Sequence, residues 1–286
     1  MLCYEGKISV FTFLTGVIFA LLPKFLFRLQ FETYSLYFQN VWLTYVVLYI
    51  LLNFLIIIAF RGFIYQVAVR ATSLGYAFGI GILIYLTAPS SWQMFGIYTS
   101  VMATFHYSEF LAITWTNPSA LSLDSFMLNH SIEYGIAAFV CWMEFIIERY
   151  FFPEMKEPHF VSWIGLTFCV CGEILRKLAM FTARKNFNHI IQSTKADGHQ
   201  LVTHGVYSFS RHPSYVGWFY WSIGTQLILQ NPFCAVCYTL ISWRFFQQRV
   251  LLEEMTLINF FGQDYVDYQK QVGTGLPLIS GYKFDL

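Results

Sequence analysis

The chain has 286 residues, of which 57% are hydrophobic, 20% aromatic and only 12% charged, with a net charge of +1. A soluble domain carries about 25% charged residues, and one with so few would expose large apolar patches that drive association, so the composition points to a membrane protein. The small net charge excludes a bulk electrostatic pull toward nucleic acid, and no such partner is expected.

A helix crossing the roughly 30 Å hydrocarbon core needs about 20 apolar residues. The first apolar run, 8–22, lacks a small-residue cleavage site after it, which predicts a retained helix rather than a signal peptide. Residues 41–60 form a full-length run that ends at Arg61. The run 71–113 is too long for one span, and Ala88-Pro89-Ser90-Ser91 divides it in two, because proline restricts its predecessor and ends helices. Further runs cover 126–147 and 159–181, followed by a polar stretch over 182–211. Residues 215–229 and 233–246 are apolar again, joined by Gln230-Asn231-Pro232, a link short enough for an antiparallel hairpin. From Gln247 the chain turns amphipathic, then turn-like near Gly273-Thr274-Gly275 and Pro277.

The pattern predicts an all-α integral membrane protein with about eight membrane-embedded helices, since long continuous runs favour helices over a barrel. One multi-pass domain over 1–286 is expected, with 1–158 supplying N-terminal helices and 159–286 the chemistry. With eight helices both termini share a side, and that side collects thirteen of the seventeen lysines and arginines. The excess predicts that the termini and the polar stretch are cytosolic.

The six cysteines lie mostly in apolar runs and read as buried thiols; Cys234-x-x-Cys237 has no second pair to complete a metal set. No metal is expected. His106 and Glu109, three apart on one helical face, read as a buried polar pairing more readily than as ligands, and Glu133, Glu144 and Glu173 are further acids in apolar runs. Asn129-His130-Ser131 is a glycosylation sequon that opens an apolar run and is expected to go unused.

Chemistry-bearing residues concentrate after position 182. The polar stretch reads Asn186-Phe187-Asn188-His189-x-x-Gln192, then His199-Gln200-Leu201-Val202-Thr203-His204-Gly205-Val206-Tyr207, then Arg211-His212-Pro213-Ser214-Tyr215-x-Gly217-Trp218. Pro213 suits a first helical turn, and His212 precedes it where free N–H groups point outward. Gly205 predicts a turn that brings backbone close to a ligand. Beyond the hairpin, Arg249 and Glu253 are four apart on one helical face near the membrane surface, followed by Glu254. Ionisable groups at that depth serve a site or pair with each other.

Together these residues resemble the isoprenylcysteine carboxyl methyltransferase family over about 160–286: the Leu201-Val202-Thr203-x-Gly205-Val206-Tyr207 strip, Arg211-His212-Pro213-Ser214-Tyr215-x-Gly217-Trp218, the Asn231-Pro232 turn, and Arg249-x-x-x-Glu253-Glu254 followed by Phe260-Phe261-Gly262-x-x-Tyr265. A looser form of the pattern is shared with membrane phospholipid N-methyltransferases and some sterol reductases, which stand as the alternatives; a transporter would show two related halves with paired broken helices, and none is evident. The resemblance implies an S-adenosylmethionine-dependent protein-S-isoprenylcysteine O-methyltransferase without a Rossmann fold, in keeping with the lack of a Gly-rich dinucleotide motif. It implies cofactor contacts from Gln192, His199, Gln200, Leu201, Val202, Tyr207, His212, Pro213, Ser214, Tyr215 and Glu253, and a substrate carboxylate held by Arg249. Glu254 is the less secure of the two glutamates, because Val250-Leu251-Leu252 stands where relatives are more acidic. It further implies prenylated, C-a-a-X-processed proteins such as small GTPases as substrates, and the endoplasmic reticulum membrane as location. The carboxylate is ionised at neutral pH, so alignment rather than a general base is the chemical requirement.

Overall fold

The computed structural model describes residues 2–28, 41–128 and 132–282, and these residues are all-helical, with no strand among them. They form two compact units. The first comprises 1–115, 121–132 and 152–158; the second comprises 116–120, 133–151 and 159–286.

In the first unit, α1 runs over Tyr4–Arg28 with Pro23 inside it, α2 over Val41–Ala59, α3 over Gly62–Thr87 and α4 from Ser90 to Thr116. The Ala88-Pro89 break falls where expected: Ala88 is extended and ends α3. Helices α1 and α3 approach closely because glycines face backbone. A Cβ on Gly16 would lie 2.4 Å from the Thr72 carbonyl, and one on Gly75 would lie 2.0 Å from that of Phe13. Small residues bring helix axes together where packing, rather than the hydrophobic effect, drives association. The 126–147 run is not one helix. Leu123–Phe126 is a 3₁₀ turn, Met127 adopts a left-handed φ of 56°, and α5, over Ile132–Phe151, belongs from Glu133 on to the second unit. Hydropathy alone does not distinguish an apolar turn from an apolar helix start. The sequon at 129–131 lies outside the described residues. His106 Nδ1 hydrogen-bonds the Phe126 carbonyl at 3.0 Å, so this histidine fastens the turn to α4.

In the second unit, α6 spans Phe160–Ala183, α7 Pro213–Leu229, α8 Pro232–Phe261 and α9 Gln263–Gln271. Helices α6 and α7 pack through glycine pairs: a Cβ on either Gly172 or Gly217 would fall 2.4 Å from the other's carbonyl oxygen. Helix α8 has 30 residues where the apolar run alone suggests 14 or so. At 1.5 Å per residue it is about 45 Å long, half as long again as the hydrocarbon core, so its last turns project beyond the apolar run. Its start is capped from another helix. Glu144 on α5 accepts the Phe233 and Cys234 N–H groups at 2.7 and 2.8 Å, and Asn231 donates to the Cys141 carbonyl at 2.9 Å. A carboxylate at a helix N-terminus answers orphan donors and the positive end of the dipole together.

Candidate active site

Three pieces of chain converge at the α7 entry. Pro213 occupies the first turn of α7 and His212 its N-cap. The polar stretch forms a second wall, ordered by Asn186, whose side-chain oxygen accepts the Gln200 N–H at 3.0 Å. The last turns of α8 with α9 form the third. Between them lies a cleft open to solvent. His199, Gln200, Leu201, Val202, Tyr207, His212, Pro213, Ser214, Tyr215 and Glu253 all line it. Gln192 does not; its side-chain amide donates to the Ile190 carbonyl of its own loop at 3.0 Å. Arg249 is not a wall of the cleft either, but it is tied to one, as described below. Asn186, Phe187, Asn188, Arg211, Phe261, Tyr265 and Tyr268, motif residues to which the sequence reading assigned no cofactor contact, also line the cleft, as does Leu257, which it did not single out.

The two adjacent glutamates differ sharply. Glu254 is fully buried and its carboxylate is saturated. Oε1 accepts from Arg211 Nε at 2.8 Å, His212 Nε2 at 3.0 Å and the Tyr265 hydroxyl at 3.2 Å; Oε2 accepts from Gln269 at 3.0 Å and the Tyr282 N–H at 2.7 Å. Burial alone would push its carboxyl pKa up, but His212 and Arg211 outweigh it and hold the pKa below the ordinary value of 4.5. Because Glu254 is ionised, His212 Nε2 must carry the proton in their bond. Arg211 also donates to the carbonyls of Gln269 (3.3 Å), Val272 and Ser280 (3.0 Å), so the ion pair binds the tail to the α7 entry.

Glu253, one residue earlier, turns toward the cleft. Its Oε2 lies 3.6 Å from His212 Nδ1, is buried, and accepts no hydrogen bond. A buried carboxylate oxygen without a donor costs desolvation unless a ligand answers it. Tyr215 stands beside it. Its ring is parallel to that of His212, with centroids 5.4 Å apart, and its hydroxyl accepts from Arg249 Nε at 2.9 Å while interacting electrostatically with Glu253. Arg249 also donates through Nη2 to the His189 carbonyl. Thus Arg249 and Glu253, one turn apart on α8, make no direct ion pair; Tyr215 stands between them.

Two further side chains support the walls. Arg176 of α6, 2% exposed, donates to Ser214 Oγ at 2.7 Å and lies 4.8 Å over the Trp218 ring. Tyr268 donates to the Tyr207 carbonyl, and burial pushes its phenol up to about 12, so it stays a neutral donor. His199 is held below the usual histidine range by burial and by Lys195, hence neutral at pH 7. Gly205 has the left-handed φ of 62° that its turn requires, but its own Cβ position faces Thr182, not the cleft. Among the described residues no cluster of three or more metal-ligating side chains occurs.

The pattern that defines the isoprenylcysteine carboxyl methyltransferase (ICMT) family matches residues 163–259, which include the polar stretch ahead of α7, α7 itself and most of α8. The chain is 49% identical over 285 residues to the protein-S-isoprenylcysteine O-methyltransferase of Xenopus laevis, covering 99% of this chain and 98% of that one. It is 58% identical over 224 residues to the enzyme of that name from Tribolium castaneum, covering 78% and 80%. A solved structure of the eukaryotic intramembrane Ras methyltransferase ICMT superposes with a TM-score of 0.89 at 50% identity, covering 99% of this chain and all of that one. Identity at this level over nearly the whole length leaves one conclusion: this chain belongs to the isoprenylcysteine carboxyl methyltransferase family.

Proposed function

We infer that the protein is a membrane-embedded methyltransferase that transfers a methyl group from S-adenosylmethionine to the C-terminal α-carboxylate of prenylated cysteine. Family membership supports the reaction class, and the observation that carries the site assignment is the pairing of an unanswered Glu253 oxygen in the cleft with Arg249 just outside it, joined by Tyr215. The cleft fits the donor. Glu253 Oε2 suits an amino group or ribose hydroxyl, and neutral His199 adds no positive charge against a cationic ligand. His199, Gln200, Leu201, Val202, Tyr207, His212, Pro213, Ser214 and Tyr215 supply the remaining walls; Gln192 would contact the cofactor only from its loop edge. The bound donor supplies an electrophilic methyl on a sulfonium, which departs as a neutral thioether.

The chain's own task is alignment. The substrate carboxylate is anionic at neutral pH, so no residue has to remove a proton. Arg249 holds it, since a guanidinium can bind a carboxylate with two parallel hydrogen bonds. The prenyl chain favours lipid by about 0.8 kcal/mol per buried CH₂. Half-exposed Phe245, over whose ring Arg249 sits at 5.9 Å, and the neighbouring Trp218 offer an apolar approach to the guanidinium. The eight long helices α1–α8 are read as the membrane-embedded set, with exposed Ile50, Phe54 and Ile58 of α2 and Ile136 and Phe139 of α5 facing lipid. The lysine and arginine distribution supports a cytosol-facing cleft, and the family resemblance supports the endoplasmic reticulum membrane as the place where the soluble donor and prenylated small GTPases would meet it.

The direct test is incubation of purified protein with labelled S-adenosylmethionine and N-acetyl-S-farnesylcysteine. Base-labile methyl ester is the expected product. Label in a base-stable N-methyl phospholipid, with none in the prenylcysteine, would move the protein to another substrate class.

A further inference from the structure

Arg249 has more hydrogen-bonding capacity than its expected task uses, and the structure fixes which part is spent. A guanidinium carries five N–H groups. Here the Nε–H is given to the Tyr215 hydroxyl at 2.9 Å and one Nη2–H to the His189 carbonyl. The Nε side of the fork is therefore closed, while both Nη1–H groups and the second Nη2–H remain. The terminal edge of the fork consists of one Nη1–H and one Nη2–H, and a carboxylate can grip such an edge with two parallel bonds.

We propose that Tyr215 is a positioning residue for the substrate carboxylate: its hydroxyl locks the rotation of the Arg249 guanidinium so that the terminal N–H edge faces the carboxylate. This deepens, and rests on, the assignment of Arg249 to that carboxylate. Three observations besides the hydrogen bond support it. The Tyr215 ring is itself fixed, lying parallel to His212 and against Phe246 at 5.3 Å. It is one of the cleft walls, so the hydroxyl is referenced to the donor site. Arg249 lies over the same ring at 5.6 Å, a contact that phenylalanine would keep. The hydroxyl thus links the guanidinium to the donor cleft, and in an in-line alignment a small rotation of the carboxylate would be costly.

The experiment is Tyr215→Phe in the full-length protein, assayed beside Arg249→Ala, Arg249→Lys and the Tyr215→Phe/Arg249→Lys double variant. Turnover is measured with N-acetyl-S-farnesylcysteine and binding with S-adenosylhomocysteine. Tyr215→Phe is expected to lower kcat/KM for the prenylcysteine about ten- to a hundredfold, the scale of one hydrogen bond to a charged group. Its affinity for S-adenosylhomocysteine, whose cleft Tyr215 also lines, should fall by a clearly smaller factor than kcat/KM, and a circular dichroism spectrum reports that the variant is folded. In the Arg249→Lys background the Tyr215→Phe effect should largely vanish, because lysine lacks the fork that the hydroxyl orients. Equal losses for prenylcysteine and S-adenosylhomocysteine, full additivity with Arg249→Lys, or undiminished kcat/KM while Arg249→Ala abolishes turnover would each overturn the proposal. Undiminished turnover in Arg249→Ala is a separate result: it removes the substrate role of Arg249, and the proposal with it.

Discussion

His212 Nε2 lies 3.0 Å from Glu254 Oε1, and Arg211 Nε reaches the same oxygen at 2.8 Å. Two consecutive residues at the entry of α7 thereby grip one buried carboxylate near the end of α8. Removing Glu254 would strand buried Arg211, and breaking a buried pair from one side costs about 3–5 kcal/mol. Glu254→Gln is expected to lower the thermal midpoint strongly at pH 7, with loss of the folded yield rather than of catalysis per folded molecule.

The same pair has a defined pH signature. Glu254's folded pKa is below its ordinary value of 4.5, so the unfolded chain takes up its proton first as pH falls. Its contribution to stability is fully present above about pH 4.5 and is lost as pH drops through the lowered folded pKa. The gap between the thermal midpoints of wild type and Glu254→Gln should therefore be full above about pH 4.5 and close as pH falls through the lowered folded value. A gap that stays constant from pH 7 to pH 3 would remove Glu254 as the titrating group.

Glu253 gives the contrasting outcome. Its Oε2 accepts nothing within the chain, so Glu253→Gln should leave the thermal midpoint within a degree or two while weakening S-adenosylhomocysteine binding about tenfold or more, the scale of a charge-assisted hydrogen bond. Calorimetric titration and an unfolding scan on the same preparation separate the two glutamates.

That distinction shows what the sequence could carry. The start of α7 was legible because Pro213 after His212 is a local signal, and the continuation of α8 past its apolar run was legible because Arg249 and Glu253 keep helical spacing. Most cleft walls were legible as motif residues. The job of Glu254 was not: its partners Arg211 and His212 lie 43 and 42 positions away, and Tyr265, Gln269 and Tyr282 follow it at 11, 15 and 28. No local pattern marks such pairings. Arg176 read as one of many cytosolic-side cations, because only the packed α6–α7 pair shows it beneath Ser214. The apolar turn at 126–128 was mistaken for helix because hydropathy is blind to a left-handed Met127.

The α6–α7 contact is a second structural pressure point. The Cβ of Gly217 would meet the Gly172 carbonyl at 2.4 Å, and backbone cannot swing aside as a side chain would. Overpacking costs about 1–3 kcal/mol where neighbours can adjust, and occasionally more. Gly217→Val should exceed that range and reduce S-adenosylhomocysteine binding together with stability, because Ser214 and Tyr215 ride on the same helix. Gly273→Ala is the control: no atom lies within 4 Å of its added Cβ, and its φ is unremarkable.

Glu144 separates support of the fold from support of the site. It accepts two N–H groups at the first turn of α8, from a different helix, at the end of α8 opposite Glu253 and Glu254. Loss of an N-cap costs about 0.5–2 kcal/mol, and the upper part applies where water cannot replace the acceptor. Glu144→Ala should lower the thermal midpoint, with Glu144→Gln recovering part of the loss because one amide oxygen still accepts. Neither variant touches the cleft or Arg249, so kcat/KM per folded molecule should stay at the wild-type value. If Glu144→Ala instead lowered kcat/KM at unchanged stability, α8 would have to transmit a shift along its roughly 45 Å length, and the far end of the helix could no longer be treated as an independent anchor.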